Sequence, residues 1–185
     1  MESVRIVGFD PALANWGAAI AEYDIETGDL NLVEIGLEKT KKTKKRTKGL
    51  DIYERSRQLN RFVRKFADRG DFVFSELPVG SQSASAAWGL SAAVATLASI
   101  SKPVEFVTVK QVKEVVGLDM PEKAEMIAWA MNNYPDADWH MRKYKGEMVP
   151  MNDNEHMADA VAVIHAGLQT KAWDSFIASL QVSQR

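Results

Sequence analysis

The chain reads as an α/β protein built on a five-stranded mixed sheet, its first three strands antiparallel, its later ones parallel, with helices flanking the sheet. Three observations predict this. Residues 3–37 hold three strand-like runs, with a tight turn between the second and third. After residue 49 helical and strand-like segments alternate, the pattern of parallel strands joined by crossovers. The length, 185 residues, suits one domain spanning 1–185.

The first strand, 3–10, is apolar on both faces, as a central strand should be, and ends in Asp10-Pro11. "GAAIAEYDI" (17–25) and "NLVEIGL" (31–37) are the next two strands, and Gly28 in "ETGD" suits the turn between them. "KTKKTKKRTKG" (39–49) is a polar, basic loop insert. Ile52, Leu59, Phe62, Val63 and Phe66 then recur at helical spacing, and Arg69-Gly70 closes that helix. "DFVFSEL" (71–77) is the fourth strand, stopped by Pro78. Residues 83–101 form a helix dense in Ala, Ser and Gly, and "VEFVTV" (104–109) is the fifth strand. Pro121 and Pro135 bracket a helix within 120–135. Residues 136–151 read as irregular, 152–168 as a helix, and 172–180 as a short last one.

Composition narrows the function classes. At 46% hydrophobic and 26% charged the chain is an ordinary globular one. It has no apolar run of 18 residues, so no membrane span is expected. Its start, "MESVRIVGFD", lacks a basic-then-apolar leader, and it has no cysteine, so a reducing, cytoplasmic setting is expected. Net charge is only -2, but it is unevenly placed. Residues 39–69 carry 13 Lys/Arg against three acids, and the rest of the chain carries 10 against 22. A basic stripe on an otherwise acidic chain is the footprint of a polyanion binder. Lys41, Lys42, Lys44, Lys45, Arg46 and Lys48 are its densest part and the candidate DNA-phosphate contacts.

The chemistry sits where acids interrupt apolar runs. "VGFDP" and "FSELP" share one grammar: an apolar strand, a carboxylate at its tip, then proline. If the first and fourth strands are parallel neighbours, Asp10 and Glu76 emerge at the same carboxyl-end edge, where open α/β sheets place their sites. Asp159 lies inside a helix that is apolar nearly all round, where an unpaired carboxylate costs several kcal/mol or is forced neutral. His156, three residues earlier, shares its face. Carboxylates and an imidazole converging on one point suit Mg2+, with Mn2+ a plausible substitute. Two such ions about 4 Å apart can activate a water and steady the leaving oxygen in phosphodiester cleavage.

In this layout the sequence resembles the RNase H-like proteins, and among them the RuvC-type Holliday-junction resolvases. The likeness runs in order over residues 4–168: Gly8-Phe9-Asp10-Pro11, Gly17, Glu76, Gln111-Val112-Lys113, Glu122-Lys123, and His156-Met157-Ala158-Asp159-Ala160-Val161-Ala162. The resemblance implies that Asp10, Glu76, His156 and Asp159 bind two metal ions, with Glu155 or Asp153 as alternatives to the imidazole. It implies that Lys113 and Lys123 face the scissile or a neighbouring phosphate. It implies a homodimer, paired through the helix after the fourth strand, that nicks a four-way DNA junction symmetrically with a metal-activated water, leaving 3'-hydroxyl and 5'-phosphate ends. The sequence departs from the family at Val79, where an aromatic wedge is usual, and in its longer basic loop. Three other functions fit parts of the pattern: a different RNase H-like nuclease cutting flaps, hybrids or single strands; a phosphotransfer domain of the actin and sugar-kinase type; and a non-catalytic junction-binding protein. The second lacks a further Gly-rich phosphate loop here.

Overall fold

The computed structural model describes residues 3–43, 45–80, 83–118 and 121–182. Strands β1 (Ser3–Asp10), β2 (Asn15–Asp24) and β3 (Leu30–Lys39) form an antiparallel meander. Helix α1 (Lys48–Ala67) crosses to β4 (Phe72–Glu76), and α2 (Ala84–Ala98) to β5 (Val104–Val107). The sheet order is β3-β2-β1-β4-β5, with β4 parallel to both β1 and β5. The mixed sheet expected from the sequence is thus the one observed.

Alternation along the strands sorts the core into two layers, because successive side chains point to opposite faces. Val7 and Phe9 of β1, with Trp16, Ala18 and Ile20 of β2, pack under α1 and α2 against Leu59, Val63, Phe66, Ala93 and Leu97. Val4 and Ile6 of β1, Ala19 and Ala21 of β2, and Phe74 of β4 pack on the other face. That face carries α5 (Asn154–Gly167), which is buried along nearly its whole length. By the same parity Asp10 and Glu76 end their strands on the α5 face.

Two elements differ from the sequence expectation. Residues after β5 turn into a short helix, α3 (Val109–Glu114), ahead of α4 (Lys123–Asn133). Its start is a capping box: Thr108 Oγ1 accepts from the Gln111 backbone N–H, and Gln111 Oε1 accepts from the Thr108 N–H. Residues 136–151, expected to be irregular, contain a hairpin of β6 (Met141–Tyr144) and β7 (Glu147–Pro150). It forms a separate two-stranded sheet. The last described element is α6 (Lys171–Val182), whose Trp173 meets the Phe72 ring of β4 edge-on and whose Phe176 packs tilted against it.

Candidate active site

Parallel pairing of β1 and β4 runs to Phe9 opposite Ser75, so Asp10 and Glu76 are the next residues on adjacent strands. Glu76 itself stands opposite Val107 of β5. Helix α5 brings the remaining groups. It can do so because two glycines face it: a Cβ on Gly17 would lie 1.8 Å from the His156 carbonyl oxygen, and one on Gly8 would lie 2.3 Å from that of Ala160. The helix backbone therefore rests directly on the sheet, and its first two turns stand beside the strand tips.

The Asp10 carboxylate meets His156 first, with Oδ2 and Nδ1 2.8 Å apart. On the other side of the ring, Asn15 Nδ2 lies 3.1 Å from Nε2. With the Asn15 amide donating there, the ring proton sits on Nδ1 and points at Asp10. The hydrogen bond that His156 donates to Asp10 raises the His156 pKa, favouring imidazolium, against the opposing effect of burial. A flipped Asn15 amide would accept from that second ring proton. Burial, with the nearby charge of Asp10 adding to it, pushes Glu76 up to about 7, while Lys113 pulls the other way. Burial likewise pushes Asp159 up to about 8, reinforced by the charges of Asp10, Glu76 and Glu155. The charge of Asp10 contributes to both shifts, so Glu76 and Asp159 each lie near it with too little positive charge to compensate.

The donor set fits a hard divalent cation: carboxylate oxygens, partly buried, in a negative field. Among the described residues, no three acidic or imidazole groups yet converge tightly enough to grip an ion. Asp10 has one oxygen engaged by His156. Both His156 nitrogens are occupied, so ligation by the imidazole requires exchanging one of its two bonds. The alternative acids are engaged too: Asp153 pairs with Lys39 and with His140, and Glu155 pairs with Lys123 at 2.8 Å.

No protein-family model matches the sequence, and no curated protein matches it significantly. Solved structures do. The structure of T. thermophilus RuvC in complex with a Holliday junction substrate is similar at a TM-score of 0.57 and 17% identity, over 88% of this chain and 92% of that one. A second Thermus thermophilus RuvC structure gives 0.55 at the same identity and coverage. The chain has the RuvC-type, RNase H-like fold. The fowlpox virus Holliday junction resolvase has a TM-score of 0.48 at 16% identity, over 95% of this chain and 99% of that one.

On this RuvC-type scaffold the four expected ligand residues share one neighbourhood without forming a tight cluster: His156 touches Asp10, the charge of Asp10 acts on Glu76, and the charges of both act on Asp159. Lys113 adjoins them from α3, close enough to lower the Glu76 pKa. Lys123, at the start of α4, is highly exposed and tied to Glu155. The basic loop is more varied than its composition suggests. Lys41, Lys42 and Lys45 are exposed, Arg46 pairs with Glu54, and Lys48 lies 5.3 Å from the Trp88 ring centre. Lys44 lies outside the described residues. Arg55 turns inward to Asp51, Thr40 and the Leu13 carbonyl, fixing the loop's two ends rather than facing solvent. Asn15 was not foreseen, because its partner lies 141 positions away and an Asn at a strand start carries no signal of its own. Gly8 and Gly17 were legible as motif residues, but their reason, close approach of α5, needed the structure. No described helix is long and apolar enough to cross a membrane.

Proposed function

We propose that this protein is a divalent-metal-dependent, structure-selective DNA endonuclease that resolves four-way junctions as a homodimer. The observation that carries the reading is the placing of Asp10 and Glu76 at the carboxyl edge of parallel β1 and β4, with Asp159 of α5 near enough to feel both charges and burial pushing Glu76 and Asp159 up to about 7 and about 8. Such groups are poised to exchange a proton for a metal ion. The likeness in fold to a RuvC bound to a Holliday junction supports junction DNA as the substrate.

In this reading Asp10, Glu76 and Asp159 hold two Mg2+ ions, or Mn2+ in their place, and His156 either joins them or orients Asp10. Ions held by these residues would supply a water of lowered pKa and positive charge for the leaving oxygen. The chain's own residues do the rest. Lys113 offers positive charge beside Glu76, where negative charge builds on the phosphate during attack. Lys123 can release Glu155 to reach a neighbouring phosphate. Lys41, Lys42 and Lys45 hold DNA arms outside the site. Helix α2 leaves Trp88 and Val94 exposed among small residues, a surface that suits a second copy.

A cleavage assay on a synthetic four-way junction, with Mg2+, Mn2+ and chelator in parallel, tests this. Paired symmetric nicks that need the metal are expected. Asp10→Asn and Glu76→Gln should each lower cleavage by roughly a thousandfold while keeping junction binding. Equal cutting of flaps, RNA–DNA hybrids and single strands would instead favour a different nuclease on this fold. Binding without metal-dependent turnover would make the chain a junction-binding protein.

A further inference from the structure

We propose that the β6–β7 hairpin is a DNA-gripping arm, in which Arg142 and Lys145 hold phosphates and Tyr144 stacks on a base of the branched substrate beside the carboxylate edge. This rests on the nuclease reading above. The hairpin is an oddity in the fold. Every residue from Met141 to Met148 is exposed, and among the described residues the ribbon pairs only with itself. A lone two-stranded hairpin is marginal in water, so it needs support. Its root supplies some. Asn154, fully buried, donates from Nδ2 to the His140 carbonyl at 2.9 Å and accepts the His140 N–H on Oδ1 at 2.8 Å. The Met151 N–H donates a second bond to that carbonyl. The root therefore sits two residues before His156, rigidly tied to the helix that carries the site.

The arm's surface is not that of a passive loop. Arg142 pairs across with Val149, and Tyr144 with Glu147, so Arg142 and Tyr144 share one face. The Tyr144 ring, 53% exposed, has two cations near it: the Arg142 guanidinium is 5.8 Å from its centre and the Lys145 ammonium 5.3 Å. Lys145 occupies the turn with φ 50, and Gly146 follows with φ 94. A two-residue turn of this kind favours Asn-Gly, and a lysine held left-handed costs roughly 1 kcal/mol. The strained position sets an ammonium group at the tip. Residues 141–150 carry three Lys/Arg against Glu147 alone, in a chain that outside 39–69 is strongly acidic. Arg142 also lines a cleft of about 270 Å³ with Lys39, Asn152 and Asp153. The hairpin's cationic face thus adjoins the point where the basic loop leaves β3. An aromatic ring with cations near it matches a nucleic-acid strand, with phosphates for the charges and a base for the ring. Four residues of strand reach about 13 Å, or about four nucleotides at ~3.4 Å each.

The test uses the full chain, a fluorescently labelled four-way junction in chelator, and anisotropy across a salt series. Tyr144→Ala should weaken junction binding about tenfold, and Tyr144→Phe, which keeps the ring, should recover the lost affinity. Arg142→Ala and Lys145→Ala should each flatten the plot of log affinity against log salt by about 0.9. Wild-type protein that binds and cuts junctions, with all four variants equal to it in affinity and slope, would overturn the arm and leave the nuclease reading standing. Wild-type protein that binds no junction would overturn both.

Discussion

His156 shows how one side chain can report on a whole site. Its ring is held between Asp10 and Asn15, and its proton preference follows from which of them it serves. Around it the balance of charge is negative, and this has a measurable consequence. Glu76, ordinarily near 4.5, is raised to about 7, and Asp159, ordinarily near 3.8, to about 8. In the folded state these groups hold protons that the unfolded chain releases. Their contribution to stability is present below about pH 4 and is lost as pH climbs to about 8. His156, raised above its ordinary 6.5, loses its contribution in the same direction, as pH rises beyond that value. In chelator, thermal melting of the wild type should therefore fall between pH 5 and pH 8.5, and Asp159→Asn should flatten that fall. Parallel melting curves for the two proteins would contradict the electrostatic assignment. Asp10, Glu76 and Asp159 were legible in the sequence because an acid in an apolar run demands a reason. The same logic could not find Asn15, a polar residue in a polar setting.

At the scale of elements, the site depends on how closely α5 approaches β1 and β2. Gly17→Ala would drive a methyl group into the His156 backbone, and neither partner is a flexible side chain. Overpacking of this sort costs about 1–3 kcal/mol. Urea unfolding should show that loss, and junction cleavage should fall with it as His156 and Asp159 shift. Gly49→Ala makes the contrast: that glycine lies in the first turn of α1 with nothing within 4 Å of an added Cβ. It should gain about 0.5 kcal/mol. A Gly17→Ala protein as stable as wild type would mean that the helix is not seated as described. The long elements were readable because periodicity over many residues outweighs local ambiguity. Helix α3 is six residues long, too short for periodicity, although Thr108 and Gln111 carried a capping signal. The β6–β7 hairpin was hidden by its own exposure. With both faces in solvent, Met141, Lys143 and Met148 show no apolar-polar alternation to read.

Over the whole molecule, the five-stranded architecture places two kinds of surface near each other: an edge bearing carboxylates, and basic segments at its flanks. The charge count located the basic loop, but not which of its charges are free. Ion pairs already engage Arg46 with Glu54, and Lys65 and Arg69 with Glu34. Lys41, Lys42 and Lys45 are exposed and are the loop's proposed phosphate contacts. Replacing all three with Ala should lower the salt slope of junction binding by about 2.7, from about 0.9 per duplex phosphate contact. An unchanged slope would show that DNA does not cross this loop. The account as a whole depends on the acidic edge trading protons for metal ions. Calorimetric titration of Mn2+ at pH 7, in buffers of different ionisation enthalpy, tests that trade directly. The account predicts binding with proton release, weakened more than about tenfold by Asp10→Asn or Glu76→Gln. Equal Mn2+ affinity in the wild type and both variants, with no proton released, would contradict it.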